Sequence, residues 1–246
     1  MLYNFYLGLD LGQAQDYSAI SLIEEPLWVP SWWQFGQDRT LKPGWTSPAS
    51  LEPWQAEELV SYNYHHGRPP SPPLSVRHLE RLPLGTRYPI VVERVEALLK
   101  SAPLKGKRLA FLVDKTGVGA PVLDGFVQAG LGPIGVFIHG GDKLSLDRDG
   151  YRVPKRALVS ATQVLFQGGR LKIAESLKEA ETLKKELLNF RVKIDGVTAH
   201  DSYSAWRENQ HDDLVLATSM AAWFRQYHNA HLDQANARVA RRQNAG

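Results

Sequence analysis

Apolar and polar positions alternate along this chain in patterns that change period several times. Two short apolar runs, residues 5–11 and 19–23, flank a polar segment holding Gly12 and Asp16 and predict a strand, a turn and a second strand in a hairpin. Residues 74–82 alternate as a strand. Over 88–99 the period lengthens, and Val91, Val95, Leu98 and Leu99 share one helical face. Residues 108–113 predict a buried strand ending at Asp114, followed by a glycine-bearing turn and a helix over 121–129. Another buried strand is expected over 133–139, then a polar hairpin over 140–153. Pro154 stands at the first turn of a helix reaching 166. Beyond it the pattern predicts a short extended piece at 171–174 and an amphipathic helix over 175–189. Strands at 190–194 and 197–200 are expected to pair across Asp195-Gly196. The last helix, 211–224, is apolar on two stripes, Leu214/Ala217/Ala221/Phe224 and Leu216/Met220/Trp223, and so is expected to be buried.

One segment breaks this order. Residues 26–89 hold eleven of the 15 prolines and five of the 7 tryptophans, which argues against regular helix through most of that stretch. Residues 27–75 therefore form an insertion with at most one short helix, over 53–61. Its tryptophans either pack it onto the body or offer platforms for nucleic-acid bases. The expected organisation is one α/β domain over 1–228, a mixed sheet flanked by helices and interrupted by the insertion, with a polar, loosely ordered tail over 229–246.

Composition narrows the chemistry. The chain has no cysteine, so disulfides, thiolate zinc sites and cysteine nucleophiles are excluded, and a metal must bind through oxygen or imidazole. No apolar run approaches the roughly 20 residues of a membrane span, and no basic residue precedes the first apolar stretch, so a cytoplasmic protein is expected. A net charge of +3 does not by itself point to nucleic acid. The suggestive residues are acidic. Asp10 ends the first strand, Asp114 ends a later one, and Asp212-Asp213 open the buried last helix. Singly, each suits a turn or a helix cap. Gathered at the carboxyl ends of strands, they would repel one another unless a divalent cation neutralised them, and oxygen-only ligands suit Mg²⁺ or Mn²⁺.

The segments YLGLDLGQAQDYSAISLIE, LAFLVDKTGVGAPVLDGF and HDSYSAWRENQHDDLVLATSMAAWF resemble, in that order, the three acidic motifs of the nuclease domain of phage large terminase subunits. VPKRALVSATQVLFQGGRLKIA resembles its connecting part. The resemblance implies an RNase H-like fold and two-metal hydrolysis of double-stranded DNA, with ions about 3.5–4 Å apart. By motif, Asp10 would bridge both ions, Asp114 would hold one, and Asp213 or Asp212 the other. Asp16 matches a family position that binds metal directly or through water, and His211 is an auxiliary candidate. A large terminase also carries an ATPase motor, yet no GxxxxGK[ST] loop occurs here, so a separate motor or a portal protein is an expected partner in viral genome packaging.

Phosphate contacts are expected from Lys115, Lys143, Arg148, Lys155 and Arg156, each of which also suits an ordinary solvated surface. The cluster Lys184, Lys185, Arg191 and Lys193 has acidic neighbours Glu181 and Glu186, which ordinary pairing on a helix surface explains. His200 and Asp201 suit loop structure. Two other readings compete with the endonuclease: a non-catalytic terminase-like module that holds DNA or a packaging partner, and a sugar-kinase or actin-like ATPase suggested by Asp10-Leu11-Gly12. The latter lacks a second Asp-Gly-rich phosphate loop.

Overall fold

The computed structural model describes residues 4–12, 16–30, 44–65, 72–117, 120–195 and 212–243. In chain order the elements are β1 (Phe5–Asp10), β2 (Ala19–Glu24), β3 (Leu27–Val29), β4 (Gly44–Thr46), α1 (Pro53–His65), β5 (Leu74–Arg81), α2 (Tyr88–Leu99) and β6 (Leu109–Asp114). They continue as α3 (Ala120–Gln128), β7 (Ile134–His139), β8 (Ser145–Asp147), β9 (Gly150–Pro154), α4 (Lys155–Gln167), β10 (Leu171–Ile173), α5 (Ala180–Asp195) and α6 (Asp213–Gln243). Eight strands form one mixed sheet in the order β10-β5-β2-β1-β6-β7-β9-β8. β1 pairs antiparallel with β2 and parallel with β6, so the carboxyl ends of β1 and β6 are neighbours. This mixed α/β sheet flanked by helices is the expected fold class.

The period of two along each strand sorts side chains to two cores. Phe5, Leu7 and Leu9 of β1, with Phe111 and Val113 of β6, meet Val91, Val95 and Phe126 of α2 and α3. Tyr6 of β1 and Ala110 and Leu112 of β6 lie on the other face, against α4, α5 and α6. Asp10 and Asp114 continue this second series, which places both carboxylates on the α6 side. The helix α6 runs across β1 and β2 and is buried on both of its expected apolar stripes, apart from Leu216, which is half-buried. Polar contacts set its register. Thr218 donates to Ser21 Oγ at 2.8 Å, and Arg225 donates to both Glu25 oxygens at 3.0 and 2.7 Å.

Most element boundaries agree with the sequence pattern, but some differ; α1, expected over 53–61, runs to His65. Residues 190–194, expected as a strand, belong to α5, and residues 175–179 form turns before it. A five-residue alternation is too short to separate a period of 2 from one of 3.6. The proposed partner strand at 197–200 lies outside the described residues, as does His211. The helix α6 also continues to Gln243, where a loosely ordered tail was expected, in keeping with the good helix propensity of its Ala, Gln and Arg residues. In the insertion, β3 pairs with β4, and Leu27, Val29, Leu51, Ala56 and Leu59 form a small core of their own. Among the described residues no helix is long and apolar enough to cross a membrane.

Candidate functional site

The site is built where β1, β6 and the start of α6 meet. Gly8 makes this approach possible, because a Cβ there would stand 1.9 Å from the Ala217 carbonyl oxygen. Asp10 lies two residues along β1 from Gly8, about 6.7 Å. Asp213 lies four residues back along α6 from Ala217, about 6 Å. The helix therefore delivers Asp213 to the end of β1 that carries Asp10. Asp10, Asp114 and Asp213 are 8, 8 and 4 % exposed.

These carboxyls feel one another. Asp10 is held well above the usual carboxylate range, first by burial, then by the charges of Asp114, Asp213 and Asp212, and it shares a hydrogen bond with Asp114. Burial also raises Asp114, against the donors of Thr116 and Asp10 and the charge of Lys155. The Thr116 backbone N–H donates to Asp114 Oδ1 at 2.8 Å, while the Thr116 hydroxyl oxygen accepts from Ile138 N–H, also at 2.8 Å. The turn after β6 thereby fixes Asp114 to β7.

The Asp-Asp pair divides between two cations. Asp212 is half-buried with its Oδ2 3.9 Å from Lys155 Nζ at the start of α4. Asp213 turns inward, with Oδ2 3.3 Å from Arg81 Nη2 at the end of β5. That same nitrogen donates to Glu186 Oε1 of α5, and the Arg81 guanidinium lies 4.7 Å from the centroid of the Tyr17 ring. Glu186 Oε2 accepts the backbone N–H of Val215 at 2.9 Å, capping the first turn of α6 from another helix.

Sequence reasoning missed Arg81 and misread Glu186. Lys184 does pair with Glu181 on the surface of α5, at 3.5 Å. Glu186, assigned there to the same surface pairing, is instead buried and bonded to Arg81 and α6. Its position on the stripe of Ala180, Leu183 and Leu187 was the available signal. No such signal existed for Arg81. A register shift between β2 and β5 passes Val76 opposite Ile23 but His78 opposite Leu22, so the alternation along β5 slips by one. Leu79 and Arg81, rather than His78 and Glu80, then share the α6 face with Leu74 and Val76.

The remaining candidates are less central. Asp16 is exposed in the turn between β1 and β2. Lys115 donates to the Asp149 carbonyl at 2.8 Å, and Arg156 pairs with Asp142 at 2.8 Å, so both brace the β8–β9 hairpin. Lys143 and Arg148 are exposed on that hairpin.

Among the described residues, no three acidic or histidine side chains already surround one point as metal ligands. The donor chemistry nevertheless fits a hard divalent cation. Asp10, Asp114 and Asp213 are buried oxygen donors that ionise together only at a cost, and a cation would remove that cost.

No family model and no curated protein matches the chain. Among solved structures, it is similar to the large terminase nuclease from thermophilic phage G20c, at 16% identity and a TM-score of 0.46, covering 88% of this chain and 80% of that one. It is also similar to the human cytomegalovirus terminase nuclease domain in a Mn-soaked structure, at 12% identity and a TM-score of 0.45, covering 89% and 82%.

Glu186 makes the site's pH behaviour testable. Burial pushes its carboxyl up to about 7, against the Val215 N–H and Arg81. An acid whose folded pKa is raised binds more protons folded than unfolded between the usual value and 7. Stability of the metal-free protein should therefore fall as pH rises through that window. Glu186 contributes at most about 3 kcal/mol to the fall. Thermal unfolding across pH in chelator should show a shallower slope for Glu186→Gln. An unchanged slope would remove Glu186 as its source.

Proposed function

We propose that this chain is a metal-dependent endonuclease that hydrolyses phosphodiester bonds of double-stranded DNA in viral genome packaging. The observation that carries the reading is Asp10, buried at the end of β1 and raised by Asp114, Asp213 and Asp212 together. Aspartates far apart in sequence lie close enough to act on one another, and each belongs to one of the three motifs that resemble terminase nucleases. Asp10, Asp114 and Asp213 would hold two Mg²⁺ or Mn²⁺ ions. Bound there, the ions supply Lewis-acid polarisation of the phosphoryl group and lower the pKa of a coordinated water.

The protein's own groups provide position and charge. Thr116 keeps Asp114 oriented toward Asp10. Lys155, beside Asp212 and acting on Asp114, adds a positive charge at the rim of the acidic cluster where a phosphate would approach. Lys143 and Arg148 on the hairpin extend that charge along a DNA backbone. Such contacts read no base edges, so cleavage has little sequence preference. On this reading an ATPase motor or a portal protein would deliver the DNA.

Supercoiled plasmid incubated with the purified chain and Mn²⁺ or Mg²⁺ tests this directly. Nicking and linearisation are expected, abolished by chelator and by Asp114→Asn. Retardation of DNA without cleavage under every metal condition would instead make the chain a binding module, and ATP turnover without DNA would favour the kinase-like alternative.

A further inference from the structure

Arg81 poses a problem for any site that uses Asp213 as a cation ligand. A guanidinium and a divalent ion compete for the same carboxylate oxygens, and an arginine closed onto Asp213 would occupy them with charge-assisted bonds. In the structure that hold is shared between two carboxylates. Arg81 Nη2 makes its hydrogen bond to Glu186 Oε1, while Asp213 Oδ2 stays 3.3 Å from the same nitrogen. The guanidinium is also held against the Tyr17 ring. Glu186 in turn is anchored, because its second oxygen takes the Val215 N–H at 2.9 Å. Glu186 and Arg81 are mostly buried, with side chains 6 and 14 % exposed, so water does little to weaken their attraction.

We infer that Glu186 is a positioning residue that shares Arg81 with Asp213 and thereby loosens the guanidinium's hold on Asp213, so that a divalent cation can compete for that carboxylate. This rests on reading the site as a metal centre. Glu186 touches neither metal nor DNA in this role; it acts through Arg81. The neighbouring residues follow from the same logic. Tyr17 limits where the guanidinium can swing, and the β5 register shift puts Arg81 on this face at all.

A mutant cycle read by Mn²⁺ binding to the full chain, with free Mn²⁺ followed by electron paramagnetic resonance, tests the inference without relying on cleavage. Glu186→Gln retains an acceptor for Val215 N–H but loses the charge that holds Arg81, and Mn²⁺ should bind about tenfold more weakly. In an Arg81→Gln background, the same Glu186→Gln change should have almost no effect on Mn²⁺ affinity. A direct field effect of Glu186 on the ion would persist in that background, and a merely structural role would lower the melting temperature of both backgrounds alike. The inference is overturned if Glu186→Gln binds Mn²⁺ as tightly as wild type, or if its effect survives the loss of Arg81. Wild-type protein that binds Mn²⁺ and cuts plasmid while the cycle is additive would sink this role of Glu186 alone. Wild-type protein that neither binds Mn²⁺ nor cuts DNA would sink the nuclease reading with it.

Discussion

Asp10→Asn is expected to abolish DNA cleavage while raising the melting temperature of the metal-free protein. Both effects come from the same charge. Asp10 is buried among Asp114, Asp213 and Asp212, and its ionised form is disfavoured by desolvation and by repulsion from all three. Asparagine occupies nearly the same volume, removes the charge and still offers an N–H to Asp114. Metal-free stability should rise by about 1–2 kcal/mol, a few degrees in a protein of this size. With Asp10 gone, the centre loses the carboxylate that the others surround. A loss of several kcal/mol of transition-state stabilisation corresponds to about 10³-fold or more in rate. Plasmid cleavage and thermal unfolding on one preparation check the pair of outcomes. An Asp10→Asn protein that melts lower than wild type in chelator would show that the carboxylates do not repel one another, and the charge concentration on which the site depends would be lost.

Gly8→Ala is expected to destabilise the fold and to slow cleavage as well. The added carbon would meet the Ala217 carbonyl oxygen at 1.9 Å, and that atom belongs to a helix backbone, so no side-chain rotation relieves the clash. Either α6 lifts from β1 or the strand bends away. Overpacking of this kind costs about 1–3 kcal/mol or more. The displacement also separates Asp213 from Asp10, and a shift of about 1 Å at a reacting centre can cost about 10²-fold in rate. Gly125→Ala is the control. Gly125 lies within α3, where a Cβ would meet only Val92 Cγ2 at 3.5 Å. It should stabilise by about 0.5–1 kcal/mol, because alanine loses less backbone freedom in a helix. Denaturant melts of the two variants should move in opposite directions, and only Gly8→Ala should slow cleavage. Equal stability for Gly8→Ala and wild type would mean that the helix does not seat on β1 as described.

The buried Glu25–Arg225 pair behaves differently from the site carboxylates. Arg225 reaches Glu25 with two hydrogen bonds, and the Tyr6 hydroxyl adds a third at 3.2 Å. Its oxygens are fully engaged by protein donors, and it serves to lock α6 against β2. Asp10 and Asp114, by contrast, share a hydrogen bond with each other, and Asp114 takes one more from the Thr116 N–H; no cation closes on them with paired bonds of this kind among the described residues. Burial is compensated by protein cations in the first case and opposed by neighbouring carboxylates in the second, and it is the second kind that the proposed cation would neutralise.

Much of the fold was legible from the pattern of side chains. Continuous apolar runs at β1 and β6, two apolar stripes on α6, and prolines confining the insertion each follow from local rules. Local rules also placed Asp10 and Asp114 at strand ends and the Asp-Asp pair at a helix start, because these positions depend on a chain's own periodicity. Where two periods compete over a few residues, as at 190–194, local pattern could not decide, and the extension of α5 prevailed.

What the sequence determined by itself was the set of acidic residues, their order and the type of element each one ends. Only tertiary structure decided which of them meet. The seat of Ala217 on Gly8 brings Asp213 to Asp10, a contact between residues more than two hundred positions apart, which no periodicity encodes. The slipped register of β5 turned Arg81 inward, and the packing of α5 on α6 made a surface-type glutamate into a buried cap. Side-chain identity sets what chemistry is available at a position. Burial and neighbours, which belong to the folded chain as a whole, set whether that chemistry is strained enough to recruit an ion.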